Sequence, residues 1–192
     1  MILFNYMDMF EITICGRGGQ GSKLAAQILA EAALEDGKYS QAFSQYGPER
    51  TGAPVTSYAR ISNQPILTHQ PIIKPNAVLI LDSSLLKDLN FNNDEVLIIN
   101  ICPNIKLEKL KNKTYKIDAS DIALKILGKD LPNVAMLGAL IKITDLLKLP
   151  SLEKRIKEYF AKKYNDKMAE QNIKALQEGY KTILCPVVQF RK

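Results

Sequence analysis

A glycine-rich turn near the start of the chain contains the residues whose types and spacing could do chemistry. This glycine turn reads Gly16-Arg17-Gly18-Gly19-Gln20-Gly21, matches the pattern G-x-G-x-x-G, and lies between an apolar run and an alanine-rich run. Backbone N–H groups at the start of a helix attract anions, and glycines let a phosphate approach the backbone closely. The turn therefore predicts an anion site, and dinucleotide binding is the first hypothesis to test.

The residues that accompany a dinucleotide site are absent from this sequence. Such a site also uses an acidic residue at the end of the second strand, about twenty residues further on, to bind the ribose. Here that region, residues 40–44, reads Ser-Gln-Ala-Phe-Ser, with no carboxylate and no arginine. The order Gln20-Gly21-Ser22-Lys23 also differs from a P-loop. NAD binding is disfavoured, which leaves a purely structural turn or a contact surface; Arg17 and Gln20 favour the latter.

The elements around the turn predict an α/β architecture. A strand over Phe10 to Ile14 leads into the turn, and a helix over about Gly19 to Asp36 follows it. Further strands are predicted at Tyr39 to Phe43, Val55 to Ile61, Gln64 to Thr68, Ala77 to Leu81, Val96 to Ile101 and Thr114 to Ile117. Later helices are predicted at Ser120 to Leu127 and Asn133 to Lys148, followed by one capped by Ser151 and one capped by Asn165.

The order of these elements indicates a fold class. Strands alternate with helices early in the chain and helices cluster late, which predicts a Rossmann-like three-layer α/β domain with a helical C-terminal lobe. The sheet is expected to be mostly parallel or mixed, because residues 38–68 could form antiparallel pairs. With 192 residues, the whole chain 1–192 is expected to form one domain, with residues 1–9 as a possible ragged extension.

Composition excludes several classes of protein. No apolar run approaches the roughly eighteen residues that span a bilayer, and the start of the chain is a poor signal peptide, so a cytoplasmic location and no membrane partner are expected. The chain has three cysteines, no C-x-x-C and one histidine, so we expect no metal site, no disulfide framework and inert thiols. The net charge of +6 is concentrated in residues 151–192, where a solvated helix face is favoured over nucleic-acid binding.

Several linked motifs resemble those of one known family. The glycine turn is followed by Leu29-Ala30-Glu31-Ala32, Gln41-Ala42-Phe43 and Tyr46-Gly47-Pro48-Glu49-Arg50-Thr51-Gly52-Ala53-Pro54, and later by Arg60-Ile61-Ser62, Pro65-Ile66, Val78 to Asp82, Asn133 to Ala139 and Gly179-Tyr180. Together they resemble the gamma subunit of 2-oxoacid:ferredoxin oxidoreductases, and within that family the pyruvate branch, pyruvate synthase. The resemblance covers nearly the whole chain from about Met9.

The resemblance implies a part of a larger enzyme. The family oxidatively decarboxylates a 2-oxoacid with thiamine diphosphate, passes electrons through [4Fe-4S] clusters to ferredoxin and transfers the acyl group to coenzyme A; the reverse reaction carboxylates acetyl-CoA. This sequence has no Gly-Asp-Gly element of a Mg²⁺–thiamine diphosphate motif and no cysteine set for a cluster. We therefore expect alpha, beta and delta subunits to hold those cofactors, and we expect this chain to be inactive alone.

The role implied for this chain is structural support and a share in the rim where coenzyme A arrives. The residues expected to form that rim, against coenzyme A or a partner subunit, are Gly16, Arg17, Gly18, Gly19, Gln20, Gly21, Tyr46 and Arg50. For Arg50, a bidentate contact with phosphate and a local contact with Glu49 are both open. No catalytic residue is expected: His69 has no evident partner, and Asp82 is interpreted as a helix cap rather than an acid.

Other readings of the sequence remain open. The chain could be an independent nucleotide-binding α/β protein, or a gamma subunit specific for 2-oxoglutarate or branched-chain 2-oxoacids. The glycine turn could contact coenzyme A or only a partner subunit, and neither the 2-oxoacid nor the physiological direction follows from these residues.

Overall fold

A mixed six-stranded sheet organises the molecule, and its first strand lies near the centre. The computed structural model describes residues 9–45, 52–91, 94–101 and 112–182. Within these ranges the strand order is β2-β3-β1-β4-β5-β6. The strands are β1 (Met9–Arg17), β2 (Tyr39–Gln45), β3 (Pro54–Ser62), β4 (Ala77–Ile80), β5 (Val96–Asn100) and β6 (Lys113–Ile117).

The two halves of the sheet differ in strand direction. Strands β1, β4, β5 and β6 are parallel, whereas β3 is antiparallel to both β1 and β2. All residues of β4 and β5 are buried, which explains why their sequences are continuous apolar runs rather than alternating ones. The predicted mixed sheet, with its antiparallel pairs in residues 38–68, is confirmed.

In the part of the chain that the structure describes, five α-helices and one 3₁₀ helix cover the sheet. They are α1 (Ser22–Glu35), the 3₁₀ helix (Ser83–Asp88), α2 (Ala119–Leu127), α3 (Asn133–Thr144), α4 (Leu149–Lys163) and α5 (Asp166–Lys181). The α-helices share one apolar core with one face of the sheet, and the 3₁₀ helix packs Leu85 on the other face. The predicted helical C-terminal lobe is confirmed. Across the described ranges, no helix combines the length and apolar character needed to cross a membrane.

The boundary between α3 and α4 differs from the prediction. The helix expected to run from Asn133 to Lys148 ends at Thr144, because Asp145 adopts a left-handed conformation with φ of 52°. Helix α4 then begins at Leu149, so Ser151 is not its N-cap; its hydroxyl instead bonds to a carboxylate oxygen of Asp36. The other predicted cap is confirmed, since Asn165 accepts the backbone N–H of Met168 at the start of α5.

The strand expected at Gln64 to Thr68 is wrong. This segment forms no ladder; its hydrogen bonds to the sheet include one from the Gln41 side chain to the Thr68 carbonyl at 3.3 Å and one from the Gln64 N–H to Ser62 Oγ at 2.9 Å. The reason is topological: both edges of β3 are already paired, one with β1 and the other with β2. Pro65 also lacks the N–H that a ladder needs.

Candidate functional site

The glycine turn closes on itself through the two non-glycine residues in it. The Arg17 N–H donates to the side-chain oxygen of Gln20 at 2.8 Å, and the Gln20 N–H donates to the Arg17 carbonyl at 3.0 Å. Gly19 and Gly21 have φ values of 101° and 81°, a conformation that other residues rarely adopt. The glycines are therefore required by the shape of the turn, which joins β1 to α1.

Helix α1 begins without a side-chain cap. Its N-cap residue is Gly21, and the first turn contains no acidic side chain. The buried amide of Asn133, at the start of α3, donates to the Gly21 carbonyl at 3.3 Å, and a Cβ on Gly21 would overlap that amide. Because no side chain caps the first N–H groups of α1, this end of the helix carries the partial positive charge that favours an anion.

The side chain of Arg17 joins three segments of the chain. Its guanidinium donates from Nε to Asp82 Oδ2 at 3.0 Å, from Nη1 to the Gly52 carbonyl at 3.1 Å, and from Nη2 to Ser84 Oγ at 2.7 Å. The backbone adds one more link, since the Gly18 N–H donates to the Ala53 carbonyl at 2.9 Å. The turn is thus fastened to the start of β3 and to the end of β4.

Asp82 is an ion-pair partner and a cap at once. It lies just after β4 and accepts the backbone N–H of Ser84 at 2.9 Å, so the predicted capping role is confirmed. Partial burial acts to raise the pKa of Asp82, but the hydrogen bonds from Ser84 and the charge of Arg17 outweigh it and hold the pKa below its ordinary value. Asp82 is therefore ionised at neutral pH and is unsuited to act as a general acid.

A cleft of about 470 Å³ opens beside the turn. Its floor is the turn and the first helical turns of α1, and its far wall is the last part of α4. The lining residues that the structure describes are Arg17, Gly18, Gly19, Gly21, Ser22, Lys23, Leu24, Gln27, Val55, Tyr159 and Lys163. Three of these carry a positive charge and none carries a negative one, so the cleft favours an anionic occupant.

The α4 wall combines a cation with aromatic rings. Lys163 Nζ donates to the Tyr159 hydroxyl at 2.9 Å and lies 5.3 and 5.6 Å from the ring centroids of Tyr159 and Tyr164. The bond to Tyr159 raises the pKa of Lys163, which keeps the ammonium charged. The sequence placed Tyr159 on the inner side of an amphipathic helix and did not place it or Lys163 at the site, because both lie about 140 positions after the turn.

The predicted rim residues divide into two groups. All six residues of the glycine turn lie together; Arg17, Gly18, Gly19 and Gly21 line the cleft, whereas Gly16 and Gln20 are not among its lining residues. Tyr46 and Arg50 lie outside the described residues, so their expected place on the rim stays a prediction. The segment that contains them ends at Gly52, whose carbonyl contacts Arg17.

The described residues offer no set of ligands for a metal or a cluster. Within the described ranges, no three His, Cys, Asp or Glu side chains lie close enough to hold a metal ion. Cys15 is 3% exposed and His69 is exposed on an irregular segment. These residues do not fit thiamine-bound Mg²⁺ or an iron–sulfur cluster, and we derive no step through either group from them.

The topology also contradicts an NAD site. In a dinucleotide fold the second strand is parallel and adjacent to the first, so that its end can bind the ribose. Here β3 separates β2 from β1, and both pairings of β3 are antiparallel. Among the described strands, none ends at the position from which an acidic residue would reach a ribose bound at the glycine turn.

Comparison with known proteins identifies the family. Residues 11–182 match the sequence model of the pyruvate ferredoxin/flavodoxin oxidoreductase family. The chain belongs to this family. It is 40% identical over 183 residues to the pyruvate synthase subunit PorC of Thermotoga maritima, covering 92% of this chain and 95% of that one.

One further family member and one crystal structure agree. The chain is 44% identical over 181 residues to the common gamma subunit of the pyruvate/ketoisovalerate oxidoreductases of Pyrococcus furiosus, covering 90% of this chain and 96% of that one. The crystal structure of the pyruvate oxidoreductase subunit PORC of T. maritima superimposes with a TM-score of 0.79 at 36% identity, covering 93% of this chain and 98% of that one. The gamma-subunit prediction is confirmed, and so is the predicted α/β fold with a mixed sheet and a helical C-terminal region.

Proposed function

We propose that this gamma-type chain works in a pyruvate:ferredoxin oxidoreductase, and that the cleft at its glycine turn binds the phosphates of coenzyme A at the rim of a shared active site. In this proposal, alpha, beta and delta subunits hold thiamine diphosphate, Mg²⁺ and the [4Fe-4S] clusters and pass electrons to ferredoxin. Pyruvate is favoured because the relatives named above carry pyruvate in their names.

The observation that carries the proposal is the charge of the cleft. Arg17, Lys23 and Lys163 line it together with the uncapped start of α1, and none of its described lining residues is acidic. Coenzyme A carries a diphosphate and a 3′-phosphate, and lysine, arginine and helix N-termini are common phosphate contacts in proteins. Tyr159 adds an aromatic surface on the same wall. The cleft needs no general acid or general base for this role, since it binds and orients an anion.

Replacing Lys163 tests the site with little risk to the fold, because this residue is exposed. The four-subunit complex carrying Lys163→Gln is expected to show a KM for coenzyme A raised about fivefold to tenfold, the order for one charged contact. The maximal rate and the KM for pyruvate should stay the same, since in this proposal Lys163 contacts coenzyme A and not pyruvate. The measurement is steady-state kinetics on complex verified by gel filtration.

The matched control is Lys157→Gln, an exposed lysine on the same helix that does not line the cleft. It should leave the KM for coenzyme A unchanged. An intact complex in which Lys163→Gln also leaves that KM unchanged would show that the turn serves only a subunit interface. Arg50→Ala, measured in the same way, tests the contact expected from the Tyr46–Pro54 motif.

A further inference from the structure

We propose that Arg17 is a positioning residue, which holds the glycine turn to the chain entering β3 and to the end of β4 rather than contacting the bound anion itself. The inference rests on the proposed coenzyme A site for its kinetic consequence, and on the hydrogen bonds of Arg17 alone for its structural one. It assigns different tasks to two cations that line the same cleft, Arg17 and Lys163.

The three side-chain nitrogens of Arg17 are already engaged. Three of its five N–H donors, one on each nitrogen, bond to acceptors within this chain, at Asp82, Gly52 and Ser84. Bonds between ionised partners are about twice as strong as neutral ones, so turning the guanidinium towards a ligand would break its ion pair with Asp82. Lys163, by contrast, is exposed at the cleft wall, and its hydrogen bond is to a neutral hydroxyl.

The acceptors of Arg17 are themselves fixed. Asp82 lies two residues after β4 and is oriented by the Ser84 backbone N–H, and Gly52 lies two residues before Pro54, where β3 begins to pair with β1. The chain from β2 must return through Gly52 to enter β3. Arg17 therefore holds Gly52, near the entry to β3, against the glycine turn that forms the floor of the cleft.

Contact with all three acceptors requires the planar guanidinium of arginine. Arginine presents several N–H donors in a rigid plane and can reach three acceptors at once, whereas the ammonium of lysine is a single compact charge on a flexible stem. Arg17→Lys thus keeps the positive charge of the cleft and removes the three-way link. Asp82→Asn keeps an oxygen to accept the Ser84 N–H and removes the charge that holds Arg17.

The test is a double-mutant cycle of Arg17→Lys and Asp82→Asn in the four-subunit complex. Each single variant is expected to raise the KM for coenzyme A about tenfold, the order for one charge-assisted hydrogen bond, with little change in the maximal rate. The double variant should be no worse than either single one, because both changes break the same link. Asp88→Asn, the same change on an exposed residue of the same 3₁₀ helix, should have no effect.

Hydrogen exchange on the purified chain supplies a readout that does not depend on coenzyme A. Both single variants should speed exchange in peptides covering Gly18 and residues 52–55, and Asp88→Asn should not. If exchange changes as expected while Lys163→Gln and both single variants leave the KM for coenzyme A unchanged, the coenzyme site is wrong but the positioning role stands. The inference is overturned if exchange is unaffected, if the two effects add, or if Arg17→Lys is silent and Asp82→Asn lowers the KM by freeing Arg17 to meet the anion.

Discussion

Cys15 lies one position before the glycine turn, yet its thiol belongs to the opposite side of the sheet. It packs with Val78, Ile80 and Leu85 under the 3₁₀ helix, away from α1 and the cleft. Burial raises the pKa of the Cys15 thiol to about 11, against a smaller opposing effect of a hydrogen bond with Thr56. A thiol in this state is neither a nucleophile nor a ligand at neutral pH.

We therefore expect Cys15 to resist alkylation. In folded protein at pH 8, iodoacetamide should modify Cys15 at least about a hundredfold more slowly than in urea, since its thiolate fraction is lowered by roughly that factor and its sulfur is shielded. Peptide mass spectrometry resolves Cys15 from the other two cysteines of the chain. Equal rates in the two conditions would show that the thiol is accessible and reactive.

Single residues also show what sequence could and could not reveal. The caps at Asp82 and Asn165 were predictable because a cap and its helix are neighbours in sequence. The Arg17–Asp82 pair joins residues 65 positions apart, and the Ser151–Asp36 bond joins residues 115 apart. Local rules place a polar side chain next to an element, but they do not say which distant carboxylate will meet it.

At the scale of elements, α3 and α5 cross with their backbones almost touching. A Cβ on Gly138 would overlap the carbonyl of Leu176, and a Cβ on Gly179 would overlap the carbonyl of Ala135. Each helix thus offers a glycine where the other helix presents backbone. This close crossing buries the largely apolar α3 between α5 and the rest of the core.

Gly138→Ala is accordingly expected to destabilise the protein. In an exposed helix, alanine in place of glycine would stabilise by about 1 kcal/mol. Here the methyl group meets a carbonyl that cannot rotate away, and we expect a net loss of about 3 kcal/mol, the upper end for overpacked cores. Chemical denaturation measures the difference; Gly179→Ala should behave alike, and Lys174→Ala, exposed on α5, should stay within about 0.5 kcal/mol. A stabilised Gly138→Ala protein would contradict the close crossing.

Element boundaries show a second limit of the sequence. The strands β4 and β5 were predictable because continuous apolar runs of that length favour buried parallel strands. The end of α3 was not, since residues 145–148 continue its apolar pattern and only the left-handed backbone of Asp145 ends it. The prediction of a strand at Gln64 to Thr68 was wrong for a similar reason. Strand pairing depends on which strand edges are free, and that is a property of the whole sheet.

At the scale of the molecule, ion pairs link the first helix to the C-terminal lobe. Glu31 meets Arg155 at 2.7 Å and Glu35 meets Lys154 at 2.6 Å, and Asp36 accepts bonds from the start of α4. Exposed pairs of this kind stabilise little individually, by about 0–1 kcal/mol. They lie above a shared apolar core, however, to which both the sheet and the C-terminal helices contribute.

We expect from this core that the chain unfolds as a single unit, as proposed for one domain over residues 1–192. Guanidinium denaturation followed by circular dichroism and by tyrosine fluorescence should give coincident single transitions, because neither the sheet nor the C-terminal helices can keep a core without the other. The chain contains no tryptophan, so tyrosine is the natural fluorophore. Two separated transitions would show that the C-terminal lobe is an independent domain.

The family and the fold class were predictable from the whole sequence, whereas the cleft was not. Linked motifs from the glycine turn to Gly179-Tyr180 indicated the gamma-subunit family, and the order of elements indicated a mixed α/β sheet. The cleft needs Tyr159 and Lys163 of α4 beside the turn, and that contact arises only when α4 packs on α1. A charged, solvated helix gives no local sign of which of its lysines will meet a distant loop.

The central position of β1 in the sheet also has a consequence during synthesis of the protein on the ribosome. This strand is made early, but its two neighbours are β3, which ends at Ser62, and β4, which ends at Ile80. At about 5–20 residues per second, a ribosome needs several seconds to extend the chain from the end of β1 to the end of β4. Until β3 is made, both edges of this apolar, β-branched strand are open, and until β4 is made one edge is still open; such a strand is the kind of segment that aggregates. The period of greatest aggregation risk therefore falls during translation.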